Sequence, residues 1–130
     1  MRFKKIKDKY YIRMETGEEL VSTLKKFCEQ EKIALGTISG IGAASKVSLN
    51  FFDQKKKKYY TKEFVGEYEM APLIGNISTK NNEVYLHSHI SIGDSKFNAY
   101  AGHLNSAVIG STFECVIEKS FGKVERKFDE

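Results

Sequence analysis

The chain has one proline, two cysteines, three histidines and no low-complexity tract. Disordered and linker sequences carry few apolar residues and biased repeats, whereas here 41% of the residues are hydrophobic and 29% charged, the balance of a globular protein. Cys28 and Cys115 are too few for a disulfide framework. Each lies among apolar neighbours, so both are expected as reduced, small core side chains. No apolar run is long enough for a membrane helix, and the opening MRFKKIKDKYYIRM is broken by charge where a signal peptide would need an uninterrupted apolar stretch. A cytoplasmic protein is expected. The net charge of +4 is compatible with a polyanionic partner but is a mild excess that requires none.

A length of 130 residues suits a single domain, residues 1–130, with its own core. Phe3 to Met14, rich in Tyr and Ile with charges between, reads as one strand with a wet face. Thr16-Gly17-Glu18-Glu19 has the Thr-x-x-Glu spacing of a capping box, so a helix follows with Leu20, Leu24, Phe27 and Cys28 on its apolar stripe and Lys25, Lys26, Glu29 and Glu31 in water. After Ile33 the sequence becomes short β-branched runs broken by Gly, Asn and Asp, which predicts about six further strands in an antiparallel sheet or partial barrel. The fold class is therefore α+β with one packed helix.

All the histidines lie between positions 87 and 103. His87 and His89 are an i, i+2 pair, and such side chains leave a strand from the same face. If Gly93-Asp94-Ser95 turns the chain so that Gly93 pairs with Phe97, His103 falls opposite His87, with roughly 5 Å between Cβ atoms. Three imidazoles then face one point. Zinc takes neutral imidazole nitrogen and would keep a fourth position open, while nickel, copper or iron also suit the donors. Gly102 would let backbone or ligand approach closely. The plainer alternative is three ordinary histidines on a half-exposed hairpin face, and a one-residue slip in register would turn His103 away.

The Gly-Glu-Glu-Leu helix start at Gly17 to Leu20, SGIGAASKVSLNFFD at Ser39 to Asp53, GEYEMAPLIGNIS at Gly66 to Ser78, His87-Ser88-His89 and Ala101-Gly102-His103-Leu104 together resemble the plants-and-prokaryotes conserved (PPC) domain over nearly the whole chain. The domain stands alone in bacteria and archaea and is joined to AT-hook segments in plant nuclear proteins. That resemblance implies a helix on a mainly antiparallel sheet, assembly as a homotrimer, and a zinc site at His87, His89 and His103. Plant members contact AT-rich minor grooves through Arg-Gly-Arg-Pro hooks, which this chain lacks.

Ser39-Gly40-Ile41-Gly42-Ala43-Ala44 is a poor match to a dinucleotide-binding loop, because a strand-like segment rather than a helix follows; it reads as a tight turn between strands. In a trimer, this turn and Gly66-Glu67-Tyr68-Glu69 would line a cleft beside the metal. Lys55 to Lys58, followed by Tyr59 and Tyr60, read as a solvated hairpin tip that could also meet phosphates and bases. Arg2, Lys4, Lys5, Lys7 and Lys9 would extend that surface only from the same side. Glu67, Glu69 and Glu83 are the carboxylates to consider as a general base beside metal-bound water, although each also reads as a surface acid. Two functions follow as expectations: a metal-binding, DNA-binding or regulatory module, and a small zinc-dependent enzyme acting on a small molecule in an intersubunit cleft. A structural metal that only steadies the sheet is the third.

Overall fold

The computed structural model of the protein describes residues 1–129. Its elements are β1 (Arg2–Ile6), β2 (Lys9–Glu15), α1 (Leu20–Gln30), β3 (Gly36–Asp53), β4 (Lys58–Lys80), β5 (Glu83–Gly93), β6 (Ala99–Lys119) and β7 (Glu125–Arg126). The strands follow the order β1-β2-β6-β3-β4-β5, and β5 also pairs back onto β6, so the four long strands form a partial ring. All pairings among β1 to β6 are antiparallel, and the two-residue β7 joins β4 in parallel. The α+β class expected from the sequence is what forms.

The expected single strand over Phe3 to Met14 is a hairpin, β1 and β2, turning where Lys7 takes a positive φ of 55°. Charge density explains the break. β1 is exposed throughout, whereas β2 alternates and buries Tyr10, Ile12 and Met14. The tight turn expected at Ser39 to Ala44 is instead the interior of β3, with irregularities in pairing between Gly40 and Gly42 and between Ala44 and Lys46. Glycine there serves close approach of strands. A Cβ on Gly40 would stand 2.5 Å from the Phe113 ring and 2.8 Å from Cys115 Cβ.

The helix forms as expected, but the Thr16–Glu19 capping box does not. Gly17, at φ 90°, bends the chain so that Glu19 becomes the N-cap, and its own carboxylate accepts from the backbone N–H groups of Val21 at 3.0 Å and Ser22 at 2.8 Å. The same carboxylate accepts from Ala107 N–H at 3.0 Å, tying the helix start to β6. Thr16 turns its hydroxyl to the Ser111 carbonyl at 2.8 Å. Leu20, Leu24, Phe27 and Cys28 are buried, and Phe27 meets Tyr10 edge-on at 5.5 Å between ring centroids. Cys28 and Cys115 are free and buried, and burial pushes both thiols up to about 12, leaving them protonated core side chains.

Candidate metal centre

From His87 to Ile92 of β5 burial alternates: Ser88, Ile90 and Ile92 point into the core, so His87 and His89 leave from the outer face. The β5–β6 register pairs Gly93 with Ala99 and His89 with His103, which corrects the expected pairing of Gly93 with Phe97 and of His87 with His103. The cause is a longer connection. Asp94 organises it by accepting from the N–H groups of Lys96 at 2.9 Å and Asn98 at 3.0 Å, while Phe97 swings into a positive φ of 65°. These hydrogen bonds, together with those from the Asn98 amide and the Tyr100 hydroxyl, hold the Asp94 carboxyl below its usual range despite the opposing effect of desolvation. The register moved by an even number of residues, so the face of His103 is unchanged.

The outcome is one cluster. Ring centroids are 5.4 Å apart for His87 and His89, 5.3 Å for His87 and His103, and 5.4 Å for His89 and His103. One ring nitrogen from each lies within 4.8 Å of the others. A tetrahedral zinc with Zn–N bonds of about 2.05 Å needs its nitrogens about 3.3 Å apart, so rotation of partly exposed rings suffices to close the set. Three neutral imidazoles fit zinc or another transition metal, and among the described residues no carboxylate joins the group. The metal position inferred from the sequence is thus physically available, while identity of the ion is not fixed by the donors.

Electrostatics favour the neutral, metal-ready form. Desolvation lowers the His87 pKa first, followed by the charges of Arg126, His103 and His89; desolvation and then His89 lower that of His103. Folded imidazoles with depressed pKa values bind protons less readily than unfolded ones, so this contribution to stability is whole above the ordinary value of 6.5 and is lost as the pH falls from there through the lowered folded values. Melting of the metal-free protein between about pH 7.5 and 5 is expected to show a falling Tm, with a shallower fall in the His87→Gln, His103→Gln variant.

Arg126 was not foreseen as part of the site. From β7 its Nη2 reaches His87 Nδ1 at 3.0 Å, its Nε donates to Ser78 Oγ at 2.9 Å, and its guanidinium lies 5.0 Å from the Tyr85 ring centre. No spacing rule links position 126 to position 87; only the parallel pairing of β7 with Thr79 and Lys80 brings them together. On the other flank, Asn50 pairs with His103 and accepts from the Thr61 hydroxyl at 2.7 Å. Gly102 faces inward, where a Cβ would stand 3.1 Å from the Asn50 carbonyl oxygen, so its bareness serves β3 rather than a ligand.

The carboxylates do not gather here. Glu83 pairs with Lys25 at 3.3 Å and lies four strand positions from His87, roughly 13 Å by strand rise. Glu67 and Glu69 line a separate hollow with Ala43, Ser45, Asp94 and Ser111, a hollow that includes no histidine. Within one chain, the expected cleft of glycine segment, glutamates and metal is therefore two places. The basic groups are also divided: Lys55 to Lys58 cap the far end of β3, whereas Lys9 sits across from Glu118, which pairs with Thr37 at the near end.

No curated protein matches this sequence. Among solved structures, a candidate DNA-binding protein from Bacteroides thetaiotaomicron is 40% identical, with a TM-score of 0.96 over 98% of this chain and 90% of that one. A plant- and prokaryote-conserved protein from Pyrococcus horikoshii is 32% identical, with a TM-score of 0.87 over 99% and 88%. A metal-containing protein from Archaeoglobus fulgidus is also 32% identical, with a TM-score of 0.88 over 100% and 93%. The family model described as the Plants and Prokaryotes Conserved (PCC) domain matches residues 1–120, and the chain belongs to that family.

Proposed function

We propose that this protein is a zinc-binding, homotrimeric module of its family that takes DNA on the β3–β4 ribbon. The observation that carries the reading is the ribbon itself. Beyond Asn50, where β6 ends its pairing, β3 and β4 continue alone through Phe51–Tyr60, Phe52–Tyr59 and Asp53–Lys58. At the tip the Asp53 carboxylate accepts from the N–H groups of Lys55 at 2.9 Å and Lys56 at 3.0 Å, which fixes the turn that presents four consecutive lysines. Phe51 is 68% exposed and Tyr59 64%, large apolar surface that a solvated tip has no need to display. A two-stranded ribbon has the width to enter a major groove, and lysines supply the phosphate contacts. The Bacteroides neighbour, a candidate DNA-binding protein, supports the same direction. Retention on duplex DNA that weakens with salt, and weakens further when Lys55 to Lys58 become glutamine, tests it; retention indifferent to those lysines defeats it.

Zinc at His87, His89 and His103 is supported by the clustered donors and by the metal-containing archaeal neighbour. Assembly of copies is supported by the outer face of the sheet, where Tyr11, Ile41 and Ile74 are exposed and Ile41 reaches 60%. An Ile41→Asp variant is expected to sediment as a monomer where the parent sediments as a trimer. The enzyme reading retains one favouring observation, a three-imidazole set that leaves an open metal position on an exposed face. It would require metal-dependent turnover lost in His89→Ala, without DNA retention.

A further inference from the structure

We propose that Arg126 is a built-in competitor of the metal, occupying the His87 lone pair in the metal-free protein and withdrawing when the ion binds. The inference rests on the metal reading above and adds a control to it.

The argument starts from donor and acceptor inventory. A guanidinium has only donors and stays charged, so in the 3.0 Å contact with Arg126 Nη2 the His87 Nδ1 must accept. A neutral imidazole has one ring nitrogen with a free lone pair; if Nδ1 accepts, the proton sits on Nε2. A metal then has two routes to His87, and both exclude the contact. Binding at Nδ1 takes the lone pair that Arg126 uses. Binding at Nε2 moves the proton to Nδ1, where an N–H would face an N–H at hydrogen-bond distance.

Arg126 is held in this position by more than His87. Nε donates to Ser78 Oγ at 2.9 Å, Nη2 also donates to Asn76 Oδ1 at 3.2 Å, and the guanidinium lies over Tyr85. The backbone beneath it is fixed by pairing of Arg126 with Lys80 and of Glu125 with Thr79, and the Glu125 carboxylate accepts from the Thr79 hydroxyl at 2.7 Å. Those partners orient the guanidinium without any help from the histidine. The competition is therefore a property of the fold, and it sets a threshold of free metal below which the cluster stays closed.

The test is zinc affinity, measured by competition with a chromophoric chelator, for the parent, for Arg126→Met and for the Asn76→Ala, Ser78→Ala variant. Loss of one charge-assisted hydrogen bond from the metal-free state should tighten zinc binding by roughly ten- to hundredfold in Arg126→Met. The second variant keeps the positive charge but unpins it, and should tighten binding severalfold. Nitrogen NMR of the zinc-free parent should find His87 as the Nε2–H tautomer. Equal or weaker zinc binding by Arg126→Met overturns the competition while leaving the metal reading intact. Tighter binding by Arg126→Met with no change in the Asn76→Ala, Ser78→Ala variant assigns the effect to charge alone and also overturns it. Zinc binding by none of the three proteins overturns the metal reading and this inference together.

Discussion

Titrated with zinc, a His89→Ala, His103→Ala variant is expected to lose about four orders of magnitude in affinity while keeping its metal-free stability nearly unchanged. A four-ligand zinc site at neutral pH is worth about 10 to 16 kcal/mol, or roughly 2.5 to 4 kcal/mol per ligand, so removing two costs about 5 to 8 kcal/mol and each 1.4 kcal/mol is tenfold. These two rings are the directly opposed pair of the β5–β6 hairpin and neither is hydrogen-bonded to Arg126, so the loss reports the ion rather than the competitor. The unchanged fold is as informative as the lost affinity. His89 is exposed and His103 half-buried on the outer face, away from the core, so truncation opens no cavity. A variant that unfolds without metal would point to a structural role for the histidines, and one that binds zinc like the parent would remove the metal centre from the account.

Neutralising Lys55 to Lys58 is expected to have a comparably large effect on DNA, and it should grow as salt is lowered. Each phosphate contact releases counterions and adds about 0.9 to the slope of log affinity against log salt, so four lysines contribute at most about 3.6. Between two salt concentrations differing fourfold, the parent should then lose about 150-fold more affinity than the variant. The pattern separates the ribbon from diffuse attraction. Neutralising Lys4, Lys5 and Lys9, at the other end of β3, should leave the slope of the ribbon intact, because that patch lies too far along the sheet to share its phosphates.

The histidine centre was legible because it depends on two parities. A strand separates faces with a period of two, and the hairpin register moved by an even step when the Asp94 loop proved longer than expected. An odd step would have scattered the rings. The helix was legible for a similar reason, since Leu20, Leu24, Phe27 and Cys28 keep helical spacing whichever residue caps it. What could not be read was anything decided by strand continuity or by distant pairing. Gly40, Gly42 and Gly75 resemble turn residues in sequence, yet they lie inside long strands where neighbouring backbones approach. Arg126 and the separation of Glu67 and Glu69 from the histidine cluster depend on pairings that no local pattern encodes.

Because β5 returns to β6, the paired ends of the four long strands close on one another; free borders remain along Lys58 to Tyr68 of the ribbon and along β1, the outermost strand of the open side. An unguarded border invites another chain to add itself and start aggregates. β1 reads Arg2-Phe3-Lys4-Lys5-Ile6, and its three cations make the docking of a like strand repulsive. The basic amino terminus thus acquires a duty unrelated to nucleic acid: it discourages strand addition at one of the borders that the ring leaves unsewn.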